Sequence, residues 1–254
     1  MAPSGRARVA ISGTHGRDDE RSELVARILT FVADRRMTPG ERLPSERELA
    51  ERFTVGRNAV REAIAVLETV RMVERRPNSG IYLRAVDRDG SLDALVLRAD
   101  LGVPLDAGEV AELIELRRIL EVQGTELAGL RRQDEDLLRI DAALEAGRQT
   151  IAAGENFAER DAEFHLAVAE ATRNRVLLRV VNSFYLLSRT RRRHYFADGR
   201  RAPDAQAQHE AMAEAIRAGD GARAASLMRA HLQSTEAYWL ELLQRRPPGG
   251  EAAP

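Results

Sequence analysis

A chain of 254 residues with 44% hydrophobic content can bury one large core or two modest ones. It has no cysteine, which excludes disulfides, thiolate nucleophiles and sulfur-ligated metals and leaves His, Asp and Glu as the strong metal ligands. The net charge of -1 hides an asymmetry: residues 1–85 hold 16 Arg against 12 Asp and Glu, and residues 86–254 hold 23 against 28, so an anionic partner is expected for the front half.

All the basic residues are arginine, and no apolar run approaches the roughly 20 residues that span a bilayer. A cytoplasmic protein with no membrane partner is expected. Residues 1–18 show no periodicity and read as a disordered tail. A helix is expected from near Glu20, with Leu24, Ile28, Phe31 and Val32 on one face, until MTPGERLP stops it. Ser45 and Glu48 form a capping box for the short helix SERELAERF. After a turn at Thr54, Val55 and Gly56, RNAVREAIAVLETV places Val60, Ala63, Ile64 and Leu67 at helical spacing. MVERR and GIYLRA read as strands joined by PNSG.

Residues 86–92 read as a linker and 93–244 as a helical domain. Its helices are expected at about 107–130, 133–152, 155–172, 174–196, 204–218 and 221–244, with 245–254 as a second disordered tail. The expected fold is mainly α: an N-terminal winged helix-turn-helix at 19–85 with a small β-hairpin wing, then an all-α antiparallel helical bundle.

Gly56, Arg57, Asn58 and Arg61 fall at the start and on the exposed face of the third helix, where a recognition helix meets the major groove. Arginine can bind guanine through two hydrogen bonds and asparagine can read adenine, while Arg47 is placed for a phosphate and Arg75 and Arg76 flank the wing turn. A helical domain without ligand is the plainer alternative; the polar residues favour double-stranded DNA, read as an inverted repeat by a homodimer.

The stretch LPSERELAERFTVGRNAVREAIAVLETVRMVERRPNSGIYL resembles the N-terminal domain of GntR-type transcription regulators, through PGERLPSERELA, R..VREA and a wing ending in G.YL. The resemblance implies that Arg47, Arg57, Arg61 and the wing, with Asn78 and Gly80, contact operator DNA. Gly56 stands where that family usually has serine or threonine, and Asn78 where its wing usually has glycine.

In RDAEFHLAV, Asp161 and His165 lie four residues apart on one helical face. His209 shares a face with Met212 and Ile216, and His231 with Leu227 and Met228, so three histidines and one aspartate point inward from three helices. Any one of them could be a hydrogen-bonded core residue. Together they suit a divalent ion, zinc foremost, with nickel or manganese as alternatives. ELRRILE, DAEFHLAVAEATRN, HEAMAEAIRAGD and ARAASLMRAHL resemble the FCD ligand-binding domain of the FadR subfamily of GntR regulators. That resemblance implies a metal held by Asp161, His165, His209 and His231, with a small carboxylate effector beside it.

Arg117 is the expected effector anchor, a salt bridge to Glu121 being the equal alternative. The run RTRRRH, 189–194, reads as a solvated helix end. A hydrolase with Asp161 or Glu210 as base is a competing reading, but HExxH, a nucleophile elbow and a phosphate-cradling glycine loop are all missing, so no enzyme is expected. A third reading is a DNA-binding dimer whose bundle holds neither metal nor effector.

Overall fold

The computed structural model describes residues 14–85, 89–103 and 105–244, and the chain divides into two compact units between Val103 and Pro104. The expected disordered stretches at 1–13 and 245–254 lie outside the described residues.

The first unit contains α1 (Thr14–Asp34), α2 (Glu46–Phe53), α3 (Arg57–Thr69), the hairpin β1 (Val73–Arg76) and β2 (Gly80–Leu83), and α4 (Leu92–Asp100). Helix α1 starts at Thr14 rather than near Glu20, which corrects the tail boundary set at residue 18. Once Leu24, Val25 and Ile28 are anchored in the core, each residue added upstream completes a hydrogen bond at little entropic cost, so the helix outruns its apolar stripe.

At the start of α2 the Ser45 hydroxyl accepts from the Glu48 amide at 3.3 Å, and the Ser45 amide donates to the Glu48 carboxylate at 2.7 Å. Thr54, left-handed at φ 56°, ends that helix and aims the chain into α3. Leu24, Ile28, Leu49, Val60, Ile64, Leu67, Val73 and Ile81 form one core beneath all three helices and the wing. The strands pair antiparallel from Val73↔Leu83 to Arg76↔Gly80. Leu43 donates to the Ile81 carbonyl at 2.8 Å, so the loop before α2 covers the free edge of β2.

Helix α4 belongs to this unit, which moves the boundary from the expected linker at 86–92 to residue 103. The reason is its pattern: Ala94, Leu97 and Leu101 recur at helical spacing and pack on the winged-helix core, while the Ser91 amide donates to the Val70 carbonyl at 3.2 Å.

The second unit is all α: α5 (Ala107–Arg131), α6 (Asp134–Ala152), α7 (Ala158–Ala171), α8 (Arg175–Leu187), α9 (Arg189–Tyr195), α10 (Ala202–Arg217) and α11 (Gly221–Gln244). The single helix expected over 174–196 is interrupted at Ser188, at φ -94° and ψ 5°, where α8 ends and α9 begins. Ile140, Phe164, Val168, Met212, Ile216, Met228 and Leu232 fill the bundle centre.

Helices α5 and α11 cross at two glycines. A methyl group on Gly129 would stand 2.7 Å from the Gly221 Cα, closer than carbon atoms pack. Gly129→Ala would gain roughly 1 kcal/mol of helix propensity, but forcing the helices apart costs about 1–3 kcal/mol. Urea denaturation should therefore show a net loss of stability. A midpoint equal to or above that of the native chain would mean that the crossing has slack.

Candidate functional site

Three helices of the second unit send four polar groups into its centre. Asp161 and His165 sit one turn apart on α7, His209 comes from α10 and His231 from α11, and all four are buried. One ligand atom from each lies within 4.8 Å of those of the other three, so the four residues expected to act together do meet. His165 Nε2 is 3.3 Å from His231 Nε2, and Asp161 Oδ1 is 3.7 Å from His165 Nε2 and 3.6 Å from His209 Nε2. Ligands of a tetrahedral zinc ion, each about 2.0–2.2 Å from the metal, stand roughly 3.3–3.6 Å apart, so these spacings fit one.

Two further observations suit a cation. His209 Nε2 is buried with no hydrogen-bond partner, a costly state for a polar atom unless something else engages it. The far nitrogens of two histidines meet acceptors: His231 Nδ1 donates to Gln208 Oε1 at 2.6 Å, and His165 Nδ1 pairs with the Glu121 carboxylate. With Nδ1 protonated in both rings, Nε2 turns its lone pair toward the cluster, the arrangement that metal-bound imidazoles use. Phe164 stacks on the His209 ring with centroids 4.1 Å apart, and Tyr185 stacks on His165 at 5.4 Å, fixing both ring planes.

Around this cluster lies a ring of buried charge. Arg117 on α5 donates through Nε to Glu121 Oε1 at 2.6 Å and through a terminal nitrogen to the Tyr185 hydroxyl at 3.0 Å. The Tyr185 hydroxyl in turn donates to Glu121 Oε1 at 2.9 Å. Of the two partners expected for Arg117, the structure shows Glu121. Arg192 on α9 corrects the expectation that 189–194 is a solvated helix end: it is only 4% exposed, and its Nε stands 3.7 Å from Asp161 Oδ2. A terminal nitrogen of Arg192 donates to the Tyr185 carbonyl at 2.7 Å and to Ser188 Oγ at 2.8 Å. Arg192 lies just past the break at Ser188, and the arginine-rich run 189–194 gives no sign that one of its members is buried. Glu210 bonds to Arg148 and Gln206 at the surface, outside the cluster.

The titration behaviour follows from burial among these charges. Burial alone would raise the Asp161 and Glu121 carboxyls. For Asp161, His165, His209 and Arg117 outweigh burial and hold the carboxyl well below its usual range. For Glu121, Arg117 and His165 pull it down to about 2. Burial works against a charge on His165 too, yet Glu121 and Asp161 raise its pKa. Burial pushes His231 down to about 3, with the charge of His165 adding to it. His209 also stays well below its usual value, through burial and then the neighbouring His231 and His165.

In the first unit, Arg57 and Asn58 are exposed at the start of α3, and Arg47 is exposed on α2. Arg47, Arg75, Asn78 and Gly80 line one groove between α2 and the wing. Gly56 caps α3 with no side-chain bond, the consequence of having no hydroxyl there. Asn78 takes φ 54° at the wing turn, a left-handed conformation that asparagine tolerates better than most residues, so it can stand in for glycine. Sequence reading missed Glu46. Its carboxylate accepts from Arg61 at 3.4 Å and from Arg75 at 3.1 Å, while Arg75 also bonds Glu68 at 3.0 Å. Two arginines expected at DNA are thus engaged by acidic side chains.

Residues 112–234 match the FCD domain, and residues 20–83 match the family described as bacterial regulatory proteins, gntR family. The chain is 33% identical over 211 residues to the HTH-type transcriptional regulator LutR of Bacillus subtilis, covering 81% of this chain and 94% of that one. It is 31% identical over 237 residues to the HTH-type transcriptional repressor NanR of Cronobacter sakazakii, covering 89% and 87%. It is 30% identical over 184 residues to the galactonate operon transcriptional repressor of Escherichia coli, covering 72% and 80%. The structure of Lar, which controls expression of the Listeria monocytogenes agr system, shares the fold, with a TM-score of 0.59 at 19% identity over 89% of this chain and 97% of that one.

Two outcomes are expected. In metal-free protein, His209 and His231 refuse protons that the unfolded chain takes up below its ordinary histidine pKa of 6.5. His165, shifted upward, keeps its full contribution below that pH and loses it only on going above. The melting temperature should therefore fall as pH drops from about 6.5 to about 5; a flat profile would show that these histidines titrate normally. Separately, Glu46→Gln should release Arg61 and leave Arg75 held by Glu68 alone, and so tighten DNA binding several-fold in gel-shift titration. Weaker binding would instead make Glu46 a residue that positions them.

Proposed function

The chain belongs to the GntR family of bacterial transcription regulators, with an FCD domain behind its winged helix-turn-helix, and on that premise we propose how it senses and how it binds. It is a DNA-binding regulator rather than an enzyme. The proposed second unit is a metal-dependent sensor. Asp161, His165, His209 and His231 would hold one divalent ion, and the unpartnered, buried Nε2 of His209 amid three other ligand groups is the observation that carries this reading. A donor set of three imidazoles and a carboxylate suits zinc, with nickel or manganese as alternatives. Already held by four protein ligands, the ion would take a carboxylate by expanding its coordination beyond four. The relative named for a galactonate operon supports a small hydroxy acid as effector.

The proposed first unit binds a short inverted repeat as one half of a homodimer, with Arg57, Asn58 and Arg61 at base edges, Arg47 at a phosphate, and Arg75, Asn78 and Gly80 at the wing. Effector binding would change the spacing of the two recognition helices and so alter operator affinity. Among the described residues no helix is long and apolar enough to cross a membrane, and a cytoplasmic location is part of the proposal.

The test combines elemental analysis with gel shifts on the purified chain. Metal content should approach one ion per chain, and the ion should raise the melting temperature, because it binds only the folded state. His209→Ala should lower metal content while sparing operator affinity. Arg57→Ala should weaken operator binding by about 1–3 kcal/mol, the worth of a good contact to a base. A metal-free native chain with unchanged stability would leave the alternative of a DNA-binding dimer with an inert bundle.

A further inference from the structure

The arginines of the groove between α2 and the wing are not equally committed. Four of them, Arg42, Arg47, Arg75 and Arg76, line it with a single acid, Glu46. Arg75 is held by Glu46 at 3.1 Å and by Glu68 at 3.0 Å. Arg76 donates through Nε to Glu74 at 2.7 Å, and its guanidinium lies over the Tyr82 ring at 4.1 Å. Among the described residues, the side chains of Arg42 and Arg47 have neither a hydrogen bond nor a carboxylate within 4 Å. Arg47 is the phosphate contact expected from the sequence; Arg42 was not singled out there.

The backbone fixes where Arg42 stands. Gly40 donates to the Leu83 carbonyl at 2.8 Å, Leu83 to the Glu41 carbonyl at 2.9 Å and Leu43 to the Ile81 carbonyl at 2.8 Å, and Arg42 bridges antiparallel to Tyr82. Residues 40–43 thus run as a short third strand along β2. Because side chains alternate along a strand, burying Leu43 turns Arg42 outward beside Tyr82, on the face that Gly80 shares two residues earlier. A Cβ on Gly80 would stand 2.6 Å from Arg42 Nε and 3.2 Å from its Cζ. The guanidinium therefore occupies the space that a side chain at position 80 would fill, and a larger residue there would push it off. An arginine seated in this way has given up part of its freedom before any ligand arrives, which lowers the cost of immobilising it on binding.

A permanently charged fork, exposed, seated and without an anion of its own chain, calls for an anion from outside. It stands beside Arg47 and away from Arg57 and Asn58, which are carried by α3 and do not line this groove. Its place therefore matches the sugar-phosphate backbone rather than the base edges that a recognition helix meets.

Resting on the DNA-binding reading above, we propose that Arg42, seated on Gly80, is a second phosphate contact of this groove beside Arg47. It adds affinity for any duplex and reads no sequence.

The experiment titrates the full chain, over a salt series, against two duplexes: one that the native chain selects from a random pool, and one of the same base composition in scrambled order. Arg42→Gln should weaken both by the same factor, several-fold at low salt, and should lower the slope of log affinity against log salt by about 0.9 for each copy of the chain bound. Arg42→Lys, which keeps the charge, should retain most of the affinity and of the slope. Arg57→Ala is the comparison, and should lose affinity for the selected duplex far more than for the scrambled one. Arg42 is exposed, so its variants should melt with the native chain, and equal melting temperatures exclude a folding defect. Unchanged affinity and slope in Arg42→Gln, with the Arg57→Ala loss in place, would overturn the proposal and leave the recognition-helix reading intact. A loss in Arg42→Gln confined to the selected duplex would overturn it as well, because Arg42 would then be reading bases.

Discussion

The second unit is organised around the cost of burying the Asp161 carboxylate. A lone carboxylate in an apolar core would take up a proton or unfold its surroundings. Here it stays ionised because His165 and His209 approach it from α7 and α10 and Arg117 adds its charge, while Arg192 on α9 stands 3.7 Å away. Each of those partners is itself buried and must be satisfied in turn, which draws in Glu121, Tyr185 and His231, and through His231 also Gln208. One buried charge thus specifies side chains on six helices, and removing a single member leaves another uncompensated. Such a network costs stability compared with an apolar core of equal volume. Its retention at the centre of a well-packed bundle is better explained by ligand chemistry than by folding.

The first unit lives in the opposite regime. Arg57, Asn58 and Arg47 are in water, and the ion pairs of Arg61 and Arg75 with Glu46 and Glu68 are partly exposed. Such pairs contribute little to stability and are weakened further by salt. Their value lies in holding long side chains near one groove while leaving them free to exchange a carboxylate for a phosphate, a trade between two exposed partners with a small barrier. The core beneath, from Leu24 to Ile81, supplies the rigidity that these side chains lack.

How much of this was legible in the sequence follows from how local each signal is. The Ser45–Glu48 capping box, the apolar spacing of α3 and the hairpin turn at PNSG act within a few residues, and each stands where its pattern predicts. Asp161 and His165 were legible as a pair because a helix repeats every 3.6 residues, and the inward faces of His209 and His231 followed from their apolar neighbours. Helix α4 was misassigned because the stripe of Ala94, Leu97 and Leu101 shows that a face is buried without showing against which core. Arg192 was hidden because it is buried inside a basic run that otherwise reads as solvated, just past a break at Ser188 that the sequence around it does not announce. Glu46 and Gln208 act on residues brought near only by the fold, so no spacing rule marks them.

On the proposed reading, metal and effector are linked by the same charges that fix the bundle. An ion at the four ligands satisfies His209 Nε2 but makes the centre positive; a carboxylate beside it restores balance. Each ligand therefore raises the affinity for the other, and by reciprocity to the same degree. The helices that would feel this exchange are α7, α10 and α11, which carry the four ligands, and α9, whose Arg192 bears on Asp161. A group whose charge balance changes with its ligands, gripped by several helices at once, lets a small chemical event at the centre become a displacement of some elements relative to others, which is what a regulator needs from its sensing domain.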